Sequence, residues 1–300
     1  MVFSSTKDDS IRRVRTLSSA SLSETLNSPI TSNRFDLAGR VAVVTGGYGV
    51  LGGVIATGLA SAGVKVVIIG RRQELADAKV ATLRGAGGHA MTAVGDVTDE
   101  GQMDEACRAV LGAWGRIDIL INAAGGNIPE SRNDNRSIFD VPMDAFDRVV
   151  RLNLHGAVVP TMAFGQAMSE AGRGSIVNIS SMAATHAITG TLGYSIAKAG
   201  IDNFTRWMSM DLARRYGPGL RVNAIAPGFF LGNQNRALLV NADGTHTPRG
   251  ATIIGRTPMG RFGQADEVIG PVLWLCSDAA SFVTGTVIPV DGGFSAFSGV

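Results

Sequence analysis

Cysteine is nearly absent from this chain of 300 residues. The two that occur, Cys107 and Cys276, lie far apart in helix-like stretches, which leaves no disulfide framework and reads as two buried thiols in a reducing, cytoplasmic setting. Histidine is scarce as well. His89, His155, His186 and His246 show no metal-ligand spacing, so no metal is expected. No apolar run attains the roughly 18 residues needed to cross a bilayer, so no membrane span is expected. An excess of either charge is missing too. The formal net charge is +2, from 27 Lys and Arg against 25 Asp and Glu; residues 1–35 hold five of the former and three of the latter, leaving 22 of each in the remainder. Such a balanced body lacks the clustered basic face of a nucleic-acid binder.

What is present is apolar and rich in glycine. Hydrophobic residues make up 45% of the chain, enough for one large core at this length. Apolar runs at 40–45, 65–70, 89–95, 118–121, 174–180, 220–226 and 285–290 alternate with helical stretches near 51–62, 73–86, 101–114, 143–170, 195–216 and 265–277. The runs are continuously apolar, as in Val66-Val67-Ile68-Ile69, which predicts parallel strands covered by helices on both faces. The expected fold is therefore α/β, a Rossmann-like doubly wound parallel sheet of about seven strands spanning residues 36–300. Residues 1–35 are rich in Ser and Thr and lack a continuous apolar stretch, so they predict an arm, disordered or packed on a partner subunit, and no secretory signal. One irregular segment, about 228–262, is long enough to be a substrate lid.

Two motifs carry chemistry. Arg40-Val-Ala-Val-Val-Thr45 runs into Gly46-Gly47-Tyr48-Gly49-Val50-Leu51-Gly52-Gly53 and then into a helical period, so Gly47, Gly49 and Gly52 satisfy G-x-G-x-x-G between strand and helix. Backbone N–H groups and a helix N-terminus there suit a pyrophosphate. In Tyr194-Ser195-Ile196-Ala197-Lys198 a phenol and an ammonium stand four residues apart on one helix face. A phenol with a pKa near ~10 is a poor general base at neutral pH, and a cation within about 4–6 Å lowers that pKa. At the end of the second strand stands Gly70-Arg71-Arg72, with no carboxylate before Glu74. Arginine at this point accommodates a 2′-phosphate, so NADP(H) is favoured over NAD(H).

Over residues 36–300 the chain resembles the short-chain dehydrogenase/reductase family. The markers occur in order: Thr45-Gly46 with Gly52, Asp96-Val97 after the third strand, Asn122-Ala123-Ala124-Gly125 after the fourth, Asn153, Ser181 thirteen residues before Tyr194, Lys198, and Pro227-Gly228. The resemblance implies a catalytic set of Asn153, Ser181, Tyr194 and Lys198. Tyr194 would be the general acid/base; Lys198 would depress its pKa and bond the nicotinamide ribose. Ser181 would donate to the substrate oxygen, and Asn153 would hold a water linking Lys198 to solvent. Gly46, Gly47, Gly49, Val50, Leu51, Gly52, Arg71, Arg72, Asp96, Val97, Asn122–Gly125, Pro227 and Gly228 would line the cofactor. Two positions depart from the family pattern: Val50 replaces a glycine of the turn, and Gly232 stands where a carboxamide-binding Thr is frequent.

The lid holds Asn233, Gln234, Asn235, Arg236, Arg249, Arg256 and Arg261, a set suited to a carboxylate and several hydroxyls. Of these, Asn233, Arg236 and Arg249 are the expected substrate contacts beside Ser181 and Tyr194. The segments Phe229–Arg236, Thr247–Gly250, Thr257–Gly263 and Val290–Val300 resemble a sugar-acid branch that includes D-mannonate oxidoreductases, also called fructuronate reductases. The implied reaction interconverts D-fructuronate and D-mannonate, with gluconate 5-dehydrogenase as the neighbouring activity. A 3-oxoacyl carrier-protein reductase would need a basic docking surface, which the balanced charge does not favour. A non-catalytic nucleotide-binding sensor would not need the intact set of four. The resemblance also implies a homotetramer, with helices 101–114 and 143–170 in one interface and the C-terminal segment in another.

Overall fold

β-Branched and other apolar residues fill seven strands: β1 (Val41–Thr45), β2 (Lys65–Gly70), β3 (Ala90–Val94), β4 (Ile119–Asn122), β5 (Gly174–Ile179), β6 (Leu220–Pro227) and β7 (Val287–Val290). They form one all-parallel sheet in the order β3-β2-β1-β4-β5-β6-β7. The computed structural model describes residues 34–134, 136–232 and 235–300, and Phe35–Val300 make one compact unit. The arm expected at 1–35 therefore lies, but for its last two residues, outside the described residues.

The main helices are α1 (Val50–Ser61), α2 (Gln73–Gly85), α3 (Glu100–Trp114), α4 (Met143–Val150), α5 (Gly156–Glu170) and α6 (Leu192–Tyr216), followed by the short α7 (Arg236–Leu239), α8 (Pro248–Gly255) and α9 (Ile269–Cys276). Alternation along β1 separates two cores. Ala42 and Val44 pack with Ile55 and Leu59 of α1, Val80 of α2 and Val272 of α9, whereas Val41 and Val43 pack with Met103 of α3, Phe164 of α5 and Met208 of α6. Both faces of the sheet are thus covered, which is why residues 41–44 and 66–69 read as unbroken apolar runs. Cys107 and Cys276 are both buried, and burial pushes their thiols up to about 11 and about 12.

The single helix expected over 143–170 is interrupted by a π turn at Arg151–His155. A side-chain bond acts there: the Asn153 amide donates to Val149 O at 2.9 Å. Helix α6 begins one turn earlier than the sequence pattern suggested, and this places Tyr194 within its first turn.

The segment 228–262, expected to be a lid, is more ordered than a loop. Phe230 bridges to Gly263 and Val240 to His246, and Leu239, Ile253 and Phe262 bury one another in a small core of their own. Among the described residues no helix is long and apolar enough to cross a membrane.

Candidate active site

The register of the sheet brings Thr45, Asn122 and Asn178 side by side where β1, β4 and β5 end. Strand order reverses between β1 and β4, the switch point outside which an open α/β sheet offers a crevice. A cavity of about 630 Å³ opens there, lined by Gly49–Gly52 of the turn, Gly125–Asn127 after β4, Ser180–Ala183 after β5, Tyr194, Lys198, Pro227–Phe230 and parts of the lid.

The glycine turn is closely packed. A Cβ on Gly52 would sit 2.4 Å from Gly46 O, and one on Gly46, at φ +62°, would sit 2.8 Å from the Ala124 backbone. Thr45 Oγ1 ties the turn to the next strand end by accepting from the N–H groups of Ala123 and Ala124, both at 3.1 Å. Helix α1 has no acidic residue in its first turn, and Gly49 offers no side-chain cap, so its first N–H groups face the cavity without a competing anion. These features fit a dinucleotide pyrophosphate. The two departures noted in the sequence meet each other: a Cβ on Gly232 would lie 3.2 Å from Val50 Cγ2. The bulk added at position 50 fits against the side chain missing at 232.

Helix α6 projects the expected pair. Lys198 is 4% exposed, donates to Ile179 O at 2.7 Å, and places Nζ 5.5 Å from the centre of the Tyr194 ring. Burial pulls its pKa down to about 8, against the opposing charge of Asp202. The expectation that the Lys198 ammonium brings the phenol below its ordinary pKa needs correcting. Tyr194 is half-buried, its pKa is raised by its low-dielectric surroundings, and the opposing influence is a hydrogen bond with Ser181. The ammonium is committed to a carbonyl and is itself weakened by burial, so desolvation of the phenolate dominates. Tyr194 consequently holds its proton at neutral pH. Ser181 caps the short turn Met182–Ala184 by accepting from Ala183 N at 3.1 Å.

Other expected residues have different surroundings. Asn153 is fully buried; its Oδ1 accepts from Gly126 N at 3.0 Å and its Nδ2 donates to Gly126 O at 2.8 Å, so the amide braces the strand-end loop. Asn122 donates into the sheet, to Thr161 Oγ1 at 2.9 Å and Asn178 Oδ1 at 2.8 Å. Its amide therefore links α5 to β5. Asp96 accepts from both Thr98 N and Thr98 Oγ1 at 2.9 Å, and Val97 packs beneath Gly156. Arg71 is exposed, with Asp96 at 3.8 Å. Arg72 lies over the Tyr48 ring, 5.3 Å from its centre. Tyr48 was not foreseen. Its ring covers Gly70, where a Cβ would be 2.2 Å from Tyr48 Cε1, and it closes the end of β2.

On the lid side, Arg249 lines the cavity and Arg236 is exposed and does not; Asn233 lies outside the described residues. Asn235 is spent on the loop itself, bonding Phe230 O and Gly232 N at 2.8 Å each. Arg261 pairs with Glu267 away from the cavity. A second guanidinium, missed in the sequence, comes from the loop after β4: Arg132 also lines the cavity. Asp134 lies between the two, 2.6 Å from Arg132 Nε and 3.7 Å from Arg249 Nη1, and rests on Gly190, where a Cβ would be 2.2 Å from its Oδ1. Arg249 is further held by Thr189 Oγ1 at 2.9 Å and Thr189 O at 3.2 Å.

The arrangement joins a phosphate-binding turn to a buried ammonium, a protonated phenol and a hydroxyl. Such a site can move a proton to or from a substrate oxygen beside a dinucleotide. Known proteins agree with this geometry. Residues 49–295 match the family model described as Enoyl-(Acyl carrier protein) reductase. An uncharacterised oxidoreductase, UxuB, of Bacillus subtilis is 45% identical over 88% of this chain and 98% of its own length. The crystal structure of a candidate D-mannonate oxidoreductase from Haemophilus influenza with bound NAD is similar at a TM-score of 0.83 and 38% identity, covering 88% of this chain and 98% of that one. A gluconate 5-dehydrogenase from Burkholderia cenocepacia in complex with NADP and tartrate is similar at a TM-score of 0.80 and 34% identity, over 88% and 98% of the two chains. With the seven-stranded parallel sheet and the ordered site, these matches establish that the chain belongs to the short-chain dehydrogenase/reductase family of oxidoreductases, which act on alcohol and keto groups.

Proposed function

We propose that this enzyme interconverts a keto sugar acid and its hydroxy form, with D-fructuronate and D-mannonate as the pair. The observation that carries the reading is the guanidinium pair. Arg132 and Arg249 line the same cavity as Ser181 and Tyr194, and among the described residues Asp134 is the carboxylate paired with both, so the wall keeps a surplus positive charge. Arginine binds carboxylates through a planar fork, which suits an acidic substrate. The likeness to a candidate D-mannonate oxidoreductase and a gluconate 5-dehydrogenase supports the same class.

The nicotinamide cofactor supplies or accepts the hydride. The chain's own residues handle the oxygen. Tyr194, holding its proton, donates it to the carbonyl oxygen during reduction; Ser181 donates a second hydrogen bond as charge develops there. Lys198 steadies the phenolate left behind, and Asn153 fixes the Gly126 loop against which the site is built. In the oxidative direction the same phenol must first ionise, and its raised pKa makes this harder. Arg71 at the end of β2 favours NADP(H) over NAD(H), with Arg72 held on Tyr48 beside it. We also read the enzyme as a cytoplasmic homotetramer, a state supported by exposed Met162, Trp207 and Met210 on α5 and α6.

Initial rates with a panel of aldonates and ketoaldonates, their neutral polyol counterparts, a 3-oxoacyl thioester and both nicotinamide cofactors test the reading. Turnover confined to the acids, fastest with D-fructuronate and NADPH, is the expected result. Preference for the thioester or the neutral polyols would overturn it. A strong preference for NADH would overturn the cofactor assignment alone.

A further inference from the structure

Asp202 is a buried carboxylate to which the scheme above gives no task. It lies one turn beyond Lys198 on α6, is 4% exposed, and accepts a hydrogen bond from the hydroxyl of Ser180, itself 2% exposed. Burying a charged carboxylate is costly without partners. Tyr194, Lys198 and Asp202 follow one another at four-residue intervals, so three successive turns of one helix face reach three consecutive residues at the end of β5: Ser181, Ile179 O and Ser180. The catalytic pair is thus two rungs of a three-rung ladder.

The charges around that face are few. Lys198 and Arg206, one turn to either side on α6, act on Asp202, and Asp202 is the charge that acts on Lys198. From the neighbouring elements, β5 and its end present the Ile179 carbonyl and the Ser180 hydroxyl. The loop after β4 presents Gly125, where a Cβ would be 3.5 Å from Lys198 Nζ, and the π turn presents the neutral Asn153.

We infer that Asp202 is a positioning residue for catalysis: seated on Ser180 one helical turn beyond Lys198, its carboxylate keeps the buried ammonium beside Tyr194 charged. The inference rests on the proton-transfer role proposed for that pair. Its sign is fixed. Burial lowers the Lys198 pKa to about 8 and the carboxylate opposes that shift, so removing the carboxylate lowers the value further. The ammonium is then lost at a lower pH, and the alkaline limb of activity moves down with it.

The test compares the parent enzyme with Asp202→Asn, Asp202→Glu and Ser180→Ala. Two readouts are taken: NMR titration of Lys198 in protein carrying carbon-13 lysine, and the alkaline limb of kcat/KM with a keto sugar acid. Asp202→Asn is expected to move both downward by roughly 1–2 pH units, as loss of a nearby opposite charge does. Asp202→Glu restores them, and Ser180→Ala, which leaves the carboxylate but frees it, moves them less in the same direction. An Asp202→Asn protein that folds but titrates like the parent overturns the inference. So does a loss of activity equal at every pH with the titration unmoved. Where thermal melting shows Asp202→Asn unfolded, Ser180→Ala decides on the same criteria. Retained activity in Lys198→Met would defeat the proton-transfer reading instead, while the NMR titration still reports the electrostatic link by itself.

Discussion

The two walls of the cleft are built differently. On one, Tyr194 and Lys198 stand on a 25-residue helix, and Lys198, 4% exposed, is bonded to the end of a central strand, with Asp202 buried behind it. On the other, Arg249 stands on an eight-residue helix backed by a cluster of three buried side chains, and its partners Thr189 and Asp134 belong to loops. The difference teaches where each demand of the reaction is met. Proton transfer needs groups fixed to a fraction of an ångström, which a long packed helix on a sheet provides. Under the proposed function, recognition of the substrate falls to the segment with a small core of its own, apart from the sheet.

If the walls are separable, mutations on them should be separable too. The largest effect is expected for Lys198→Met, which should lower kcat/KM by about 10²–10⁴-fold for every substrate alike in steady-state assays. Next comes Arg249→Gln. It should raise KM for the sugar acid by about 10–100-fold, the worth of a charge-assisted hydrogen bond, and leave the rate with a neutral polyol unchanged. Equal losses on both substrates would mean that the lid positions the chemistry as well. The smallest effect belongs to the seam between the walls. Gly232→Thr should press on Val50 and weaken cofactor binding a few-fold, and Val50→Gly in the same protein should restore it; a double-mutant cycle by fluorescence titration should show coupling of about 0.5–3 kcal/mol. Additive effects would show that the two positions do not communicate.

The same contrast explains what could be read from the chain. The strands were legible because burial on both faces leaves them mostly apolar, as in residues 66–69, and Gly46, Gly52 and Gly125 because no other residue fits where a Cβ would strike backbone or the Asn153 amide. Tyr194, Lys198 and Ser181 were legible by spacing. The π turn at Arg151–His155 was not, since it depends on where the Asn153 amide bonds after folding. Tyr48 and Arg132 were missed because their neighbours are distant in sequence, Gly70 for one and the lid arginine for the other. Asp202 carried a signal that was overlooked, a third step in the four-residue series begun by Tyr194 and Lys198. The sign of the Tyr194 shift was misjudged for a physical reason: spacing shows that a cation is near, but only the fold shows how far burial outweighs it.

Proton transfer by Tyr194 is the centre of this account, and Tyr194→Phe tests it most directly, because the change removes one oxygen atom and little else. Stopped-flow turnover and fluorescence titration of NADPH on the same preparation should show hydride transfer slowed by about 10²–10⁴-fold, as expected for removing a general acid, with cofactor affinity unchanged. Turnover at the parent rate would contradict the account.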